Sequence, residues 1–326
     1  MAPKETCPIV GVGASAGGLE ALETLLRATP ERPGLAFVVI THLLPGHESA
    51  LPDILGRFTP MPVLPARDGE AVRPDHVYAA GPDAILTVRG GKLRVRETDP
   101  ARHERDPVNA FLVSLAEDQA ERAIAVILSG AGSDGTLGLM AVKEAGGLTI
   151  AQGPDGAGPR HGGMPSSAIA AGLVDLVLPA GAIPGRLVEY VRDFGALEGL
   201  VPAGERAAGG GQTAAAREAI CAVLRDRVGH DFAGYKERTF MRRVQRRMQV
   251  LRVGALDAYV ERLRDDPGEV ERLFRDLLIG VTAFFRDPEA FEALGRLVVP
   301  RLLEGKGAGD TVRVWVPFDW QAPHAE

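Results

Sequence analysis

The segment Pro8 to Gly18, PIVGVGASAGG, constrains this chain more than any other: a short apolar run, a turn dense in glycine, then leucines at helical spacing. Ile9, Val10 and Val12 suit a buried strand, and Leu19, Leu22, Leu25 and Leu26 recur at the period of a helix that stops before Pro30. A strand feeding a helix through a tight turn is the repeating unit of open parallel sheets, so this opening predicts an α/β architecture. Ser15 sits at the centre of a G-x-S-x-G pattern, with Gly13 and Gly17 on either side. A sharp strand-to-helix turn lifts such a hydroxyl above the sheet edge and sets it at the positive end of the helix, where backbone N–H groups can hold an oxyanion.

Three other readings compete for the same string. Gly11, Gly13 and Gly17 or Gly18 approximate a dinucleotide loop. In such a unit the second strand ends near an Asp or Glu that holds the ribose, whereas Leu35 to Ile40 is followed here by Thr41 and His42. Ala14-Ser15-Ala16 mimics a signal-peptide cleavage site, but Glu5, the single Lys4 and the glycines that interrupt the apolar stretch argue against a leader. Ser15 also suits a helix cap on a purely structural turn.

The strand–helix alternation continues to about Phe194. Strands are predicted at Ile9 to Val12, Ala36 to Ile40, His76 to Ala79, Ala84 to Val88, Leu93 to Arg96, Ala123 to Leu128, Leu148 to Ala151 and Val174 to Leu178. Helices are predicted at Gly18 to Ala28, Pro107 to Glu121, Leu137 to Ala145 and Ile183 to Arg192, with a short one beginning near Met164 and Pro165. Arg89-Gly90-Gly91 between two alternating runs reads as a hairpin turn. The expectation is a doubly wound, mainly parallel sheet with an antiparallel hairpin, spanning residues 1–195. Residues 196–213, with Gly209, Gly210 and Gly211 in a row, read as a flexible linker. Residues 214–294 follow a helical pattern rich in arginine, a small all-α domain, and residues 295–326 read as an incomplete α/β fragment.

With 37 basic against 43 acidic side chains, the chain of 326 residues carries a net charge of −6, which gives no ground for a nucleic-acid partner. No stretch approaches the roughly 18 apolar residues of a spanning helix, so no direct membrane insertion is expected. Cys7 and Cys221 lie far apart and form neither a disulfide framework nor a multi-cysteine metal site, which fits a reduced cytoplasmic location.

A serine nucleophile needs a base to take its proton and a carboxylate to orient that base. His42 follows the strand Ala36 to Ile40, and Asp134 lies in ILSGAGSDGTLG, a glycine-rich loop after the strand Ala123 to Leu128. Ser15, His42 and Asp134 thus all occupy strand-end loops, where open α/β sheets place their sites. A histidine after a strand is commonly a packed or solvated residue, and Asp in S-D-G is commonly a turn or cap. The coincidence of three strand-end positions is what favours the site. His47, His76, His103 and His161 are weaker candidates.

The motifs GASAGG around Ser15, THLLPGH around His42, LSGAGSDGTLG around Asp134 and GGMPSSAIAAGLVD from Gly162 resemble, in order, the catalytic domain of the chemotaxis protein-glutamate methylesterase family, CheB, over roughly residues 7 to 194. The resemblance implies a serine hydrolase with Ser15, His42 and Asp134 as its triad and no cofactor. It would demethylate glutamate methyl esters on a methyl-accepting chemoreceptor, releasing methanol, and deamidate receptor glutamines. Family members often carry threonine or serine after the nucleophile, where this chain has Ala16. The receiver domain that usually precedes the family's catalytic domain has no counterpart before Ile9.

Farther on, HDFAGYKERTFMRRVQRRMQVLRV and LLIGVTAFFRDPEAF resemble the amino-terminal helical domain of the chemoreceptor methyltransferase family, CheR. Phe240, Val244, Met248 and Leu251 recur at helical intervals, so Lys236, Arg238, Arg242, Arg243, Arg246, Arg247 and Arg252 read mostly as a solvated face over an apolar stripe. The resemblance adds a basic helix facing the acidic methylation region of a receptor. It places Thr282 and Arg286 at positions that contact S-adenosylmethionine, with Gly280 where asparagine is usual. After the strand at Thr311 to Val316 only Pro317 to Glu326 follow, so an incomplete cofactor site, an inactive methyltransferase part and an unpaired strand edge are expected. A bifunctional methylesterase/methyltransferase and a non-catalytic receptor-binding scaffold are the alternatives.

Overall fold

Apolar runs of β-branched residues and leucine, buried on both sides, form the central strands of one seven-stranded sheet. The structure is a computed structural model, and it describes residues 7–42, 50–82, 84–97, 106–154, 158–197, 210–278 and 294–303. In chain order the first part comprises β1 (Ile9–Ala14), α1 (Gly18–Arg27), β2 (Ala36–Thr41), α2 (Leu51–Leu55), β3 (Val63–Pro65), β4 (Val77–Ala79), β5 (Ala84–Arg89), β6 (Lys92–Glu97) and α3 (Pro107–Gln119). It continues through β7 (Ile124–Ile127), α4 (Thr136–Ala145), β8 (Leu148–Gln152), α5 (Gly163–Ala170), β9 (Leu176–Leu178) and α6 (Ile183–Leu197).

The strand order is β3-β4-β2-β1-β7-β8-β9, and every neighbouring pair is parallel. Alternate residues of each strand serve opposite faces. Val10, Val12, Phe37 and Val39 pack with Leu22, Leu25 and Leu26 of α1 and Ile183 and Leu187 of α6. Ile9, Val38, Ile40 and Ile127 pack with Phe111 and Leu112 of α3, Leu139 of α4 and Met164 of α5. The doubly wound sheet is therefore as the alternation predicts. Gly13 lets α3 approach β1, since a Cβ there would lie 2.4 Å from Val108 Cγ1.

The hairpin expected at Arg89 forms, as a separate two-stranded sheet of β5 and β6 seated on α3. Val88 N–H donates to Ser114 Oγ at 3.0 Å, and the turn glycines Gly90 and Gly91 donate to the Asp118 carboxylate. Two short elements escape the sequence patterns, α2 of five residues and β3 of three. Both carry proline and are too short to display a period.

The second part comprises α7 (Gly210–Val228), α8 (Glu237–Leu251), α9 (Leu256–Asp265) and α10 (Pro267–Leu278), around a core that includes Ile220, Leu224, Phe240, Val244, Met248, Tyr259, Leu263 and Leu273. Helix α6 runs through Leu197 and α7 begins at Gly210, so two of the three linker glycines open a helix. A last helical stretch covers Leu294–Val298 and Val299–Leu303. The strand expected at Thr311 to Val316 lies outside the described residues.

Helix α8 overturns part of its sequence reading. Lys236, Arg238 and Arg252 are exposed, but Arg243, Arg246 and Arg247 are buried. Only one face of α8 meets its own domain, and a second face presses on the sheet edge where β8 and β9 begin. Arg243 donates to the carbonyls of Lys143 and Glu144 at the end of α4, at 2.8 and 2.7 Å. Arg246 donates to Gly147 O at 2.9 Å and pairs with both Asp175 and Asp276. Lys143 Nζ lies 2.9 Å from Asp175 and 3.0 Å from Asp276, and Arg247 holds Glu269 at 2.7 Å. In return Arg186 of α6 donates to Gln249 O and Val250 O at the end of α8, at 3.0 and 2.8 Å. These side chains are therefore neither a solvated face nor free for a receptor.

The surrounding cations, Arg246 foremost, hold the Asp175 carboxyl well below the usual carboxylate range despite the opposing effect of burial. Removing one partner from such a cluster leaves uncompensated buried charge, so Asp175→Asn is expected to lower the unfolding free energy of the full chain by about 3–5 kcal/mol, read by urea denaturation at pH 7. Because the folded-state pKa is depressed, the stabilisation is complete above the unfolded value of about 4 and is lost as pH falls below it. The gap between the two proteins is accordingly constant from pH 5 to 8 and closes in acid.

Candidate active site

Three loops at the carboxyl end of the sheet converge. Ser15 follows β1, His42 follows β2 and Asp134 lies between β7 and α4. His42 Nδ1 is 2.9 Å from Ser15 Oγ, and His42 Nε2 is 3.0 Å from Asp134 Oδ2. An ionised carboxylate only accepts, so Nε2 carries the proton and the Nδ1 lone pair faces the serine hydroxyl. The ring thus offers Nδ1 to the serine; either nitrogen can serve, since the bond at one fixes the tautomer at the other.

Asp134 is almost wholly buried, and its carboxylate is seated on the amino end of α3. Val108 N–H donates to Oδ2 at 3.0 Å, while Asn109 N–H and Gly135 N–H donate to Oδ1 at 2.9 and 2.8 Å. The first-turn N–H groups of a helix lack intrahelical partners and favour negative charge, and Pro107 at the helix start has no N–H to satisfy. The Asn109 side chain closes the arrangement by accepting from Gly135 N–H and Gly138 N–H, both at 2.9 Å.

Ser15 is fixed through its backbone. Its N–H donates to Ser129 O at 2.9 Å, and Gly18 N–H donates to Ser15 O at 2.8 Å. Gly17 between them adopts φ 69°, a left-handed conformation that a Cβ would strain. Ser129, after β7, ties the turn to the loop before α5: its hydroxyl donates to Ala16 O at 2.9 Å and accepts from His161 N–H at 3.0 Å. Gln152 accepts Ser129 N–H at 2.9 Å. Met164 is buried against Gly130, where a Cβ would lie 2.1 Å from its sulfur and 3.1 Å from Ser15 Cβ. It packs as core and also walls the serine.

The weaker candidates separate from this group. His76 sits at the opposite edge, before β4, bonded to Pro74 O at 2.8 Å. His161 borders the serine turn, and His47 and His103 lie outside the described residues. Thr282, Arg286 and Gly280 also lie outside them. Among the described residues no group of three or more His, Cys, Asp or Glu is arranged to hold a metal, and no helix is long and apolar enough to cross a membrane. Both cysteines are free; burial pushes the Cys7 thiol up to about 12 and also raises that of Cys221. Neither is a ready nucleophile. The roles of Asn109, Ser129 and Gln152 have no motif in the sequence. The proline opening α3 was the one signal that a helix terminus is offered to a neighbour.

The CheB methylesterase family model matches residues 10–187, a span that contains β1 through β9 almost entire together with Ser15, His42 and Asp134. The chain belongs to the CheB methylesterase family. The all-alpha domain of CheR methyltransferase matches residues 215–278, the four helices α7 to α10. A protein-glutamate methylesterase/protein-glutamine glutaminase of Geobacter sulfurreducens is 35% identical over 180 residues, 54% of this chain and 48% of its own length. An uncharacterised 104.1 kDa protein of Rhodobacter capsulatus is 38% identical over 279 residues, 80% of this chain and 29% of its own length. The Thermotoga maritima CheB methylesterase catalytic domain superposes with a TM-score of 0.51 at 36% identity, covering 56% of this chain and 97% of that one. This CheB-family chain thus spans about half the length of the methylesterase relative, and the R. capsulatus match runs across both its parts.

Asn109→Ala strips Gly138 N–H of its side-chain acceptor and leaves Gly135 N–H with Asp134 Oδ1 alone, in a part-buried setting. It is expected to cost about 1–3 kcal/mol in urea denaturation, and Asn109→Asp, which keeps an accepting oxygen but sets a second carboxylate against Asp134, is not expected to recover the loss.

Proposed function

We propose that this chain is a protein-glutamate methylesterase acting on methylated chemoreceptor-type signalling proteins, with Ser15 as nucleophile, His42 as general base and Asp134 as the group that orients and stabilises the imidazolium. The reading rests above all on the continuous hydrogen-bonded path from Ser15 Oγ through both ring nitrogens of His42 to Asp134. In the proposed reaction His42 Nδ1 takes the hydroxyl proton as Oγ attacks the ester carbonyl, and the same proton passes to the departing methoxide, so methanol leaves. Water, deprotonated by His42, then attacks the acyl-serine; the products are a glutamate carboxylate and regenerated Ser15. A glutamine side chain would follow the same course with ammonia leaving.

The oxyanion needs donors at the serine turn. Ser15 N–H and Gly18 N–H are engaged, which leaves Ala16 N–H and Gly17 N–H as the turn's remaining donors among the described residues. The group after the nucleophile is the expected donor in this kind of turn. A backbone donor is indifferent to the replacement of a hydroxyl residue by Ala16. Every chemical role is filled by a side chain or backbone group of the chain, and S-adenosylmethionine enters no step. We assign methyl transfer to none of the described residues, and Thr282 and Arg286 have no part in the hydrolysis. Two free cysteines fit a cytoplasmic setting, where receptor methylation segments are met.

Methanol released from a methylated receptor fragment measures the activity. Ser15→Ala and His42→Ala are each expected to lower it by about 10⁴-fold or more, and Asp134→Asn by a comparable factor. Equal release by wild type and Ser15→Ala ends the esterase reading; receptor binding without release would instead mark a scaffold.

A further inference from the structure

At the rim of the serine turn an exposed cation is already holding a glutamate. Arg160, in the loop before α5, pairs with Glu20 in the first turn of α1, 140 positions away in sequence; both side chains are about two-thirds exposed. The loop is held in place beside the nucleophile. His161 N–H donates to Ser129 Oγ, which itself donates to Ala16 O, and Gly130 N–H donates to His161 O at 2.9 Å. At Gly17, two residues after Ser15, a Cβ would lie 2.9 Å from Arg160 Cβ and 3.1 Å from His161 Cδ2. The guanidinium therefore springs from a fixed point at the lip of the turn and reaches along the face of α1.

We infer that Arg160 is a specificity-determining residue that binds a glutamate carboxylate of the substrate peptide close to the scissile ester, and that Glu20 occupies this subsite in cis until a substrate displaces it. The inference rests on the esterase reading. The fit is chemical: a guanidinium fork matches a carboxylate, and here it engages the side chain of a glutamate. The exchange is easy, because an exposed ion pair has a small net free energy and a substrate carboxylate replaces it like for like. A methyl ester has no charge of its own, so a charged neighbour is the handle by which a cationic rim can select it. Each hydrolysis also leaves a carboxylate, so a peptide with two esters becomes a better ligand after the first is cleaved.

The test compares two synthetic peptides that carry one glutamyl methyl ester, flanked in one by glutamates and in the other by glutamines, assayed by methanol release at low ionic strength. Wild type is expected to prefer the glutamate-flanked peptide by about fivefold in kcat/KM, through KM rather than kcat, and the preference should shrink with added salt. Arg160→Ala brings the preference to about one, Arg160→Lys restores part of it, and Glu20→Ala lowers KM for the glutamate-flanked peptide. If Arg160→Ala slows both peptides alike, or Glu20→Ala leaves KM unchanged, the subsite is overturned while the esterase stands. If wild type and Ser15→Ala cleave neither peptide differently, it is the esterase reading that fails.

Discussion

Three cations and three anions closed off from water hold the molecule together. Lys143, Arg246 and Arg247 face Asp175, Asp276 and Glu269 where the amino ends of β8 and β9 meet α8 and α10. Each part brings balanced charge to the contact: Lys143 pairs with Asp175 on the sheet side, and Arg246 and Arg247 pair with Asp276 and Glu269 on the helical side. Desolvating such groups is costly, and the cost is offset only because each has several partners at once. Arginines then cross in both directions, Arg243 onto the carbonyls ending α4 and Arg186 onto those ending α8, each cation at a negative helix terminus. The helical part is thereby attached to the sheet, and three arginines of its most basic helix, Arg243, Arg246 and Arg247, are spent on that attachment.

The polarity of a parallel sheet separates this attachment from the chemistry. All strands point the same way, so the residues before them gather at one edge and those after them at the other. Asp175 and Gly147 precede strands; Ser15, His42 and Asp134 follow them. At the second edge much of the seat is main chain, with backbone N–H groups of α3 and of Gly135 holding the buried Asp134 carboxylate.

What the sequence disclosed follows the same division. The strands and long helices, and the meeting of Ser15, His42 and Asp134, were legible because period and strand-end position are local properties that topology carries directly into space. The seat of Asp134 was not, since it joins residue 134 to the backbone of residues 108 and 109, and a main-chain donor leaves no mark in residue type. The arginines of α8 misled for a related reason: a helical period reports one buried face, and the second face of α8 is covered by a part of the chain some 100 positions earlier. The rim pair of Arg160 and Glu20 was hidden likewise, two ordinary surface residues until the fold sets them side by side.

Helix α3 joins two features that otherwise look unrelated. Its amino end carries the Asp134 carboxylate, and toward its carboxyl end Ser114 and Asp118 grip the β5–β6 hairpin through Val88, Gly90 and Gly91. Thirteen residues of helix make a strut about 20 Å long that is stiff along its axis. Its two ends are joined by one rigid element, so a displacement at the hairpin seat would be carried toward the turn that holds the carboxylate. The hairpin is outside the main sheet, yet through α3 it is joined to the seat of Asp134.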